Sequence, residues 1–514
     1  MISLVLHDNK IVPTYATLVN TDQGLVVRFE DGREDIPLHK LPRGLTVDLM
    51  VSLRDSRCDA LICGVLDVFD INGVRVGLVH VKDCHYYHSI SESTPYRTQW
   101  LRRCEGLLDL TIQPCCDYDG VLAEMSKVLP FVNAASSVFM LYDPQQPVRP
   151  GDVWHQLMVH GFKRLRTAHI RTSGAVDMVP VSSPLQELEV DHIYPSMAQL
   201  TTLTSLVLYN SLGGFDADLL QLIFDNNPML GHLSVICIRY PLLTMDLPPQ
   251  LVSLKVDCEL DRATFDTVHP GLRSLYVSGA SAEYLDKLLA TFPSIETLTV
   301  SVFSRHVSSS IRVTDIVQFL SGGRARVLTI WGYIPSLDRA FAFQSASALE
   351  EFRWMFGTGD NSHSAENVVR ALQQRHGSTL RVLHVSAPLE IIAQFVSAFP
   401  NLRNLGANAP SEHSLQELPS IFRRSPRLEK ITLIGCRAPR EVHQTLERLI
   451  ATENGVRRAQ EEDGRAWNVV VQELIAAPRA SRGVHAVPWF FHSIRNRVEA
   501  YLCCGACQIG IEYG

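Results

Sequence analysis

Apolar side chains recur along the middle of this chain in threes, at the first, fourth and sixth positions of a short window. The stretch FPSIETLTV, residues 292–300, shows it: Ile295, Leu298 and Val300 are separated by polar positions. An extended segment with that spacing buries one face and leaves the intervening side chains on the other. The same trio returns as Leu165-Ala168-Ile170, Leu185-Leu188-Val190, Leu203-Leu206-Leu208, Leu230-Leu233-Val235, Leu251-Leu254-Val256 and Leu272-Leu275-Val277. Beyond Val300 come Ala325-Leu328-Ile330, Leu349-Phe352-Trp354, Leu380-Leu383-Val385, Leu402-Leu405-Ala407 and Leu428-Ile431-Leu433. Earlier copies begin at Leu107 and Ala135. Starts lie roughly 18 to 31 residues apart, the length of one strand-and-return unit in a stacked repeat array.

Helical patterns fill the gaps. SAEYLDKLLATFP places Leu285, Leu288 and Leu289 on one face after a Ser281 cap. SAENVVRALQQRHG repeats the plan with Val368, Val369 and Leu372, and Gly377 follows the last turn. Residues 314–323 and 389–400 are two further cases, and Pro293, Pro400 and Pro426 stop helices before the next strand. Strand, helix and parallel strand in succession predict an α/β fold: a leucine-rich-repeat solenoid, a horseshoe with an inner parallel sheet and outer helices.

The flanks read differently. Residues 1–100 predict a small β-rich module, with strands at Ile2–Leu6, Tyr15–Val19, Leu25–Phe29 and Val74–Val81 and turns at Asp31-Gly32 and Asn72-Gly73. Gly64 and the aspartates of 67–70 read as a loop. Residues 101–438 form the solenoid. Residues 439–514 predict a helical C-terminal cap and tail, with helices in EVHQTLERLIATENGVRRAQ and AWNVVVQELIAAP.

The array resembles the ribonuclease-inhibitor-like leucine-rich repeats, including those of F-box/leucine-rich-repeat proteins. Cys115 and Cys436 fill the family's ninth, Asn-or-Cys position, whereas Ile193, Glu259, Ala280, Phe303 and Pro410 depart from it. The resemblance implies a protein-binding receptor or scaffold. An F-box in front would make it a substrate receptor of a ubiquitin ligase, and Leu41-Pro42 followed by Leu45, Leu49 and Leu53 echoes one. Irregular repeats with non-repeating ends also suit a structural subunit of a large assembly, such as a ribosomal or respiratory complex.

Composition narrows the classes. The chain has 514 residues and a formal net charge of -7, which argues against nucleic acid as the main partner. No run approaches the roughly 18 to 20 apolar residues of a spanning helix, and MISLVLHDNK lacks the basic start and apolar core of a secretory leader. Twelve irregularly spaced cysteines predict free thiols in an intracellular, cytoplasmic setting, with nucleus or organelle left open. Cys503, Cys504 and Cys507 beside an amphipathic stretch are candidates for acylation, buried thiols being the alternative. His80, Cys84, His85 and His88 cluster without a second ligand pair, so no metal and no cofactor is predicted. No phosphate-cradling loop, nucleophile elbow or zinc-binding helix motif is present, which predicts a non-catalytic protein.

Partner-binding candidates follow from alternation. The third, fifth and seventh positions of each copy should face the concave side. They include an acidic patch, Glu187, Glu189 and Asp191, and the candidate contacts Tyr209, His232, Lys255, Tyr276, Trp331, Glu351, Arg353, Met355 and His384.

Overall fold

The computed structural model describes residues 2–7, 14–21, 24–29, 34–52, 58–82, 95–112, 132–141, 153–171, 176–209, 216–236, 243–257, 263–265, 268–278, 282–301, 312–332, 334, 336–342, 348–355, 362–408, 413–425, 427–434, 468–473, 499–504 and 507–513. They fall into two compact units, Met1–Leu272 and Arg273–Gly514. The division lies within the repeat region.

The first unit begins with an antiparallel meander: β1 (Ile2–His7), β2 (Thr14–Thr21), β3 (Gly24–Phe29), β4 (Ile36–Pro37) and β5 (Thr46–Ser52). Strand β1 sits between β2 and β5, and β3 between β2 and β4. The expected strands at Ile2–Leu6, Tyr15–Val19 and Leu25–Phe29 are all present. Leu45 and Leu49, by contrast, lead into and lie on a strand, so this run does not open a helical F-box module.

Parallel pairing starts at once, ahead of residue 101. Helix α1 (Cys58–Asn72) returns the chain to β6 (Arg75–Lys82), which pairs parallel to β5. The expected loop at 64–70 is therefore helix. Ile62, Val65, Leu66 and Phe69 are at most 2% exposed and form one face, while Asp67 and Asp70 are exposed on the other. The switch from antiparallel to parallel carries a register shift between Val47 and Leu49. The Asp48 carboxylate fills it, accepting from the Leu78 backbone N–H at 2.7 Å and lying 2.7 Å from His7 Nε2. A Cβ at Gly77 would meet that carboxylate at 2.3 Å, so a larger residue there would displace it.

The ladder continues through α2 (Pro95–Arg103), β7 (Leu108–Ile112), β8 (Ala135–Leu141), the short helix α3 (Val153–Gln156), β9 (Thr167–Arg171), β10 (Glu187–Val190) and β11 (Ser205–Tyr209). Helix α4 (Ala217–Asn226), β12 (His232–Ile236), β13 (Leu243–Met245), β14 (Ser253–Asp257) and β15 (Ala263–Phe265) complete the unit. Strands β6 to β12 and then β14 pair in sequence order, all parallel, and β13 and β15 form a separate parallel pair.

The second unit repeats the plan: β16 (Ser274–Ser278), α5 (Ala282–Thr291), β17 (Thr297–Ser301), α6 (Val313–Ser321), β18 (Val327–Trp331), α7 (Asp338–Ala342) and β19 (Glu351–Met355). Then come α8 (Ser362–His376), β20 (Val382–Pro388), α9 (Leu389–Phe395), β21 (Asn404–Asn408), α10 (Leu418–Arg424) and β22 (Lys430–Ile434). Strands β16 to β22 are parallel in sequence order. In both units the repeat is that of an α/β leucine-rich-repeat solenoid.

The end of the chain departs from the expected helical cap. Within AWNVVVQELIAAP, Asn468–Glu473 is a strand, β23, parallel to β22. Its run of three valines favours extended backbone over helix, and the exposed edge of β22 supplies the partner. Strands β24 (Glu499–Cys504) and β25 (Cys507–Tyr513) follow, β25 pairing parallel to β23 and antiparallel to β24. Cys503, Cys504 and Cys507 thus fall on strands. EVHQTLERLIATENGVRRAQ lies outside the described residues, as do Cys84, His85, His88, Cys115 and Cys436.

The buried trios form the core. From Leu165-Ala168-Ile170 to Leu428-Ile431-Leu433, none of these side chains is more than 8% exposed. At about 25 cal/mol per Å², each fully buried Leu or Ile contributes on the order of 1.5–3 kcal/mol. Helix faces close over them: Leu285, Leu288 and Leu289 from α5, and Val368, Val369 and Leu372 from α8, are buried as expected. Gly377 is required by proximity, since a Cβ would lie 2.7 Å from the carbonyl oxygens of Gln373 and Ala398. His376, 1% exposed and with no hydrogen bond to either ring nitrogen among the described residues, packs edge-on to Phe341 at 6.2 Å. Burial holds its pKa below the ordinary value, which keeps the ring neutral.

Asn227 ties one repeat to the next. Fully buried, it accepts from the Leu203 backbone N–H at 2.9 Å and donates to the Leu200 and Ile223 carbonyls at 2.9 and 2.8 Å. It lies just after α4, as the residue that caps that helix. Asn227→Ala leaves buried backbone groups unsatisfied and should cost about 1–3 kcal/mol. Urea unfolding should show the loss, with half-buried Gln221→Ala within about 0.5 kcal/mol of the parent. Equal midpoints for the two variants would contradict this role.

Candidate functional site

The open face of each sheet is built by register, one side chain per strand. In the second unit the fifth positions form one row: Tyr276, Thr299, Thr329, Arg353, His384, Gly406 and Thr432, each opposite the next. Tyr276, Arg353 and His384 are half-buried, as are Glu351 and Trp331. Arg353 donates to Glu351 Oε2 at 3.0 Å, and its Nε is buried with no acceptor among the described residues.

His384 lies over Gly406 on the neighbouring strand. A Cβ there would come 2.6 Å from the imidazole, so glycine makes room for the ring. Enclosure by the surrounding sheet, then the charges of Arg353 and Lys430, push the His384 pKa down to about 3. The face therefore presents a neutral imidazole beside a guanidinium.

The first unit carries His232, exposed, and Lys255, half-buried opposite Ser234. It also carries histidine–carboxylate pairs across adjacent strands. His80 Nδ1 lies 2.9 Å from Asp109 Oδ2, whose other oxygen accepts from Ser137 at 2.9 Å. His169 Nδ1 lies 2.8 Å from Glu189 Oε2, with Phe139 packed on the imidazole at 5.8 Å. The expected acidic patch is thus partly matched from within. Asp191, 5% exposed, accepts from the Tyr194 hydroxyl at 3.1 Å. These pairs hold acid and base on one surface.

Two candidate contacts are corrected. Tyr209 is 7% and Met355 4% exposed. Strands β11, β17 and β19 share one burial pattern, in which the sixth and seventh positions are both buried. Alternation governs the interior of a strand and fails at its last residue, where the chain leaves the extended path. In these three strands the third and fifth positions, not the seventh, form the open face, whereas in β18 the fifth, Thr329, is buried and the seventh, Trp331, is half-buried. Sequence reasoning missed the histidine–carboxylate pairs, although aligned copies place His169 and Glu189 at the same fifth position.

Among the described residues, no group of three or more His, Cys, Asp or Glu is placed to hold a metal ion, and no helix is long and apolar enough to cross a membrane. No protein-family model matches the sequence, and no curated protein does. Among solved structures, a chain from the Toll–Spatzle complex, described as a molecular hub in Drosophila development and innate immunity, is similar at 13% identity. The match covers 90% of this chain and 67% of that one with a TM-score of 0.31. Strand register, not this likeness, defines the fold.

The neutral state of His384 has a consequence in acid. Its folded pKa lies below the unfolded value of 6.5, so below pH 6.5 the unfolded chain takes up a proton that the folded chain refuses. That contribution to stability is complete above pH 6.5 and is lost as pH falls towards about 3. Urea midpoints at pH 7 and pH 5 should differ less in His384→Asn than in the parent. An undiminished difference would show that the ring titrates normally.

Proposed function

We propose that this chain is a non-catalytic scaffold or receptor of the leucine-rich-repeat type that holds a protein partner against the open face of its parallel strands. The ribonuclease-inhibitor-like resemblance supports the reading. The observation that carries it is the set of half-buried Tyr276, Trp331, Glu351, Arg353 and His384 on strands β16, β18, β19 and β20 of one unit. Aromatic and arginine side chains set in a rigid backbone lose little conformational freedom on contact, and such residues dominate the energetics of protein interfaces. The buried thiols Cys63 and Cys104 support an intracellular setting. Burial pushes the Cys104 thiol up to about 11, which leaves it unreactive at neutral pH.

The partner is captured from native lysate with the full chain and identified by mass spectrometry. Tyr276→Ala, Trp331→Ala and Arg353→Ala together should weaken that complex well over tenfold, by about 2 kcal/mol or more at hot-spot residues. The urea midpoint should move little, because these side chains are not part of the buried trios. Unchanged affinity removes this face as the binding surface.

A further inference from the structure

The second position of each copy lies one residue before its strand, along the edge where strands enter the second unit's sheet. From Arg273 the row runs Glu296, Arg326, Glu350, then Arg381, Arg403 and Glu429. Each donates its backbone N–H to the carbonyl of the one before, at 2.7–2.8 Å, so the row has the spacing of the sheet. Charge alternates at every step but one. Arg381 and Arg403 are neighbours of like sign.

The side-chain pairs along the row are loose. Arg273–Glu296, Arg326–Glu350, Arg381–Glu350 and Arg403–Glu429 approach to 3.8, 3.7, 3.5 and 3.5 Å, beyond good hydrogen-bond length. Glu350 divides its single charge between Arg326 and Arg381. The guanidiniums of Arg381 and Arg403 are 61% and 58% exposed and keep donors free for another acceptor.

A cavity of about 340 Å³ opens at the break in alternation. Arg381, Arg403 and Arg427 line it, with Glu350 as the acidic group, together with Ser378, Thr379 and Asn401. Asn401 donates to the Ser378 carbonyl at 2.7 Å and accepts from Arg427, which orients that third guanidinium. Three cations against one carboxylate leave an excess of two positive charges.

We propose that this cavity binds a phosphate monoester dianion. The excess charge equals that of the ligand, and guanidinium forks match phosphate oxygens bidentately. The volume accommodates a phosphoryl group and part of what bears it. The site lies at the strand-entry edge, apart from the open face, and does not depend on the reading given for that face.

Isothermal titration of the full chain at fixed ionic strength tests this, with inorganic phosphate, a phosphoserine peptide, the same peptide unphosphorylated, and glycerol 3-phosphate as probes. Saturable binding of the phosphorylated probes is expected. A preference for the peptide identifies a phosphorylated protein as the source, and a preference for glycerol 3-phosphate a small metabolite. Arg403→Gln and Arg427→Gln should each weaken binding about tenfold. Arg326→Gln, in the same row but outside the cavity, should change it less than about twofold. No saturable binding, equal binding of the unphosphorylated peptide, or an equal loss in Arg326→Gln would overturn the proposal. Unchanged urea midpoints in all three variants establish that any loss is local.

Discussion

No repeat strand among the described residues has a core of its own. Each buries its three apolar side chains only because a parallel neighbour in the same register extends the surface on which they pack. Other features follow from that dependence. Asn227 secures main chain between consecutive repeats, Gly377 lets a helix end approach the next segment, and the entry-edge residues repeat one backbone bond from copy to copy. Side chains on the open face do not support the stack, so they can differ from copy to copy without disturbing it.

The core was legible because its signal is local. First, fourth and sixth positions are read from six consecutive residues, and the trios from Leu165-Ala168-Ile170 to Leu428-Ile431-Leu433 are buried. Helix faces were legible for the same reason in α5 and α8. Helix α1 was missed although Ile62, Val65, Leu66 and Phe69 have helical spacing. Its glycine and exposed aspartates resemble a loop when read singly and a solvated face when read with the apolar residues. Asn468–Glu473 went the other way: its pattern allows helix, and a pairing edge made far back along the chain decides for strand.

The open face was legible in part. Half-buried third and fifth positions were identified, but the seventh was carried along by a rule that ends with the strand, which is why Tyr209 and Met355 prove buried. Cross-strand relations were the harder class. His169 and Glu189 are twenty residues apart in sequence and 2.8 Å apart in space. Arg381 and Arg403 are neighbours only once the sheet is assembled. Such pairs emerge from the sequence when copies are aligned beneath one another, and not from any single copy.

Strand β4 closes one side of the first unit's sheet with two residues, Ile36 and Pro37, paired to Val27 and Val26. Proline has no amide hydrogen, and so short a border offers almost nothing for an incoming chain to zip onto. A long parallel ladder is otherwise a template for open-ended growth. The meander gives that side a short antiparallel border, half of it proline, which disfavours the edge-to-edge addition of further copies there.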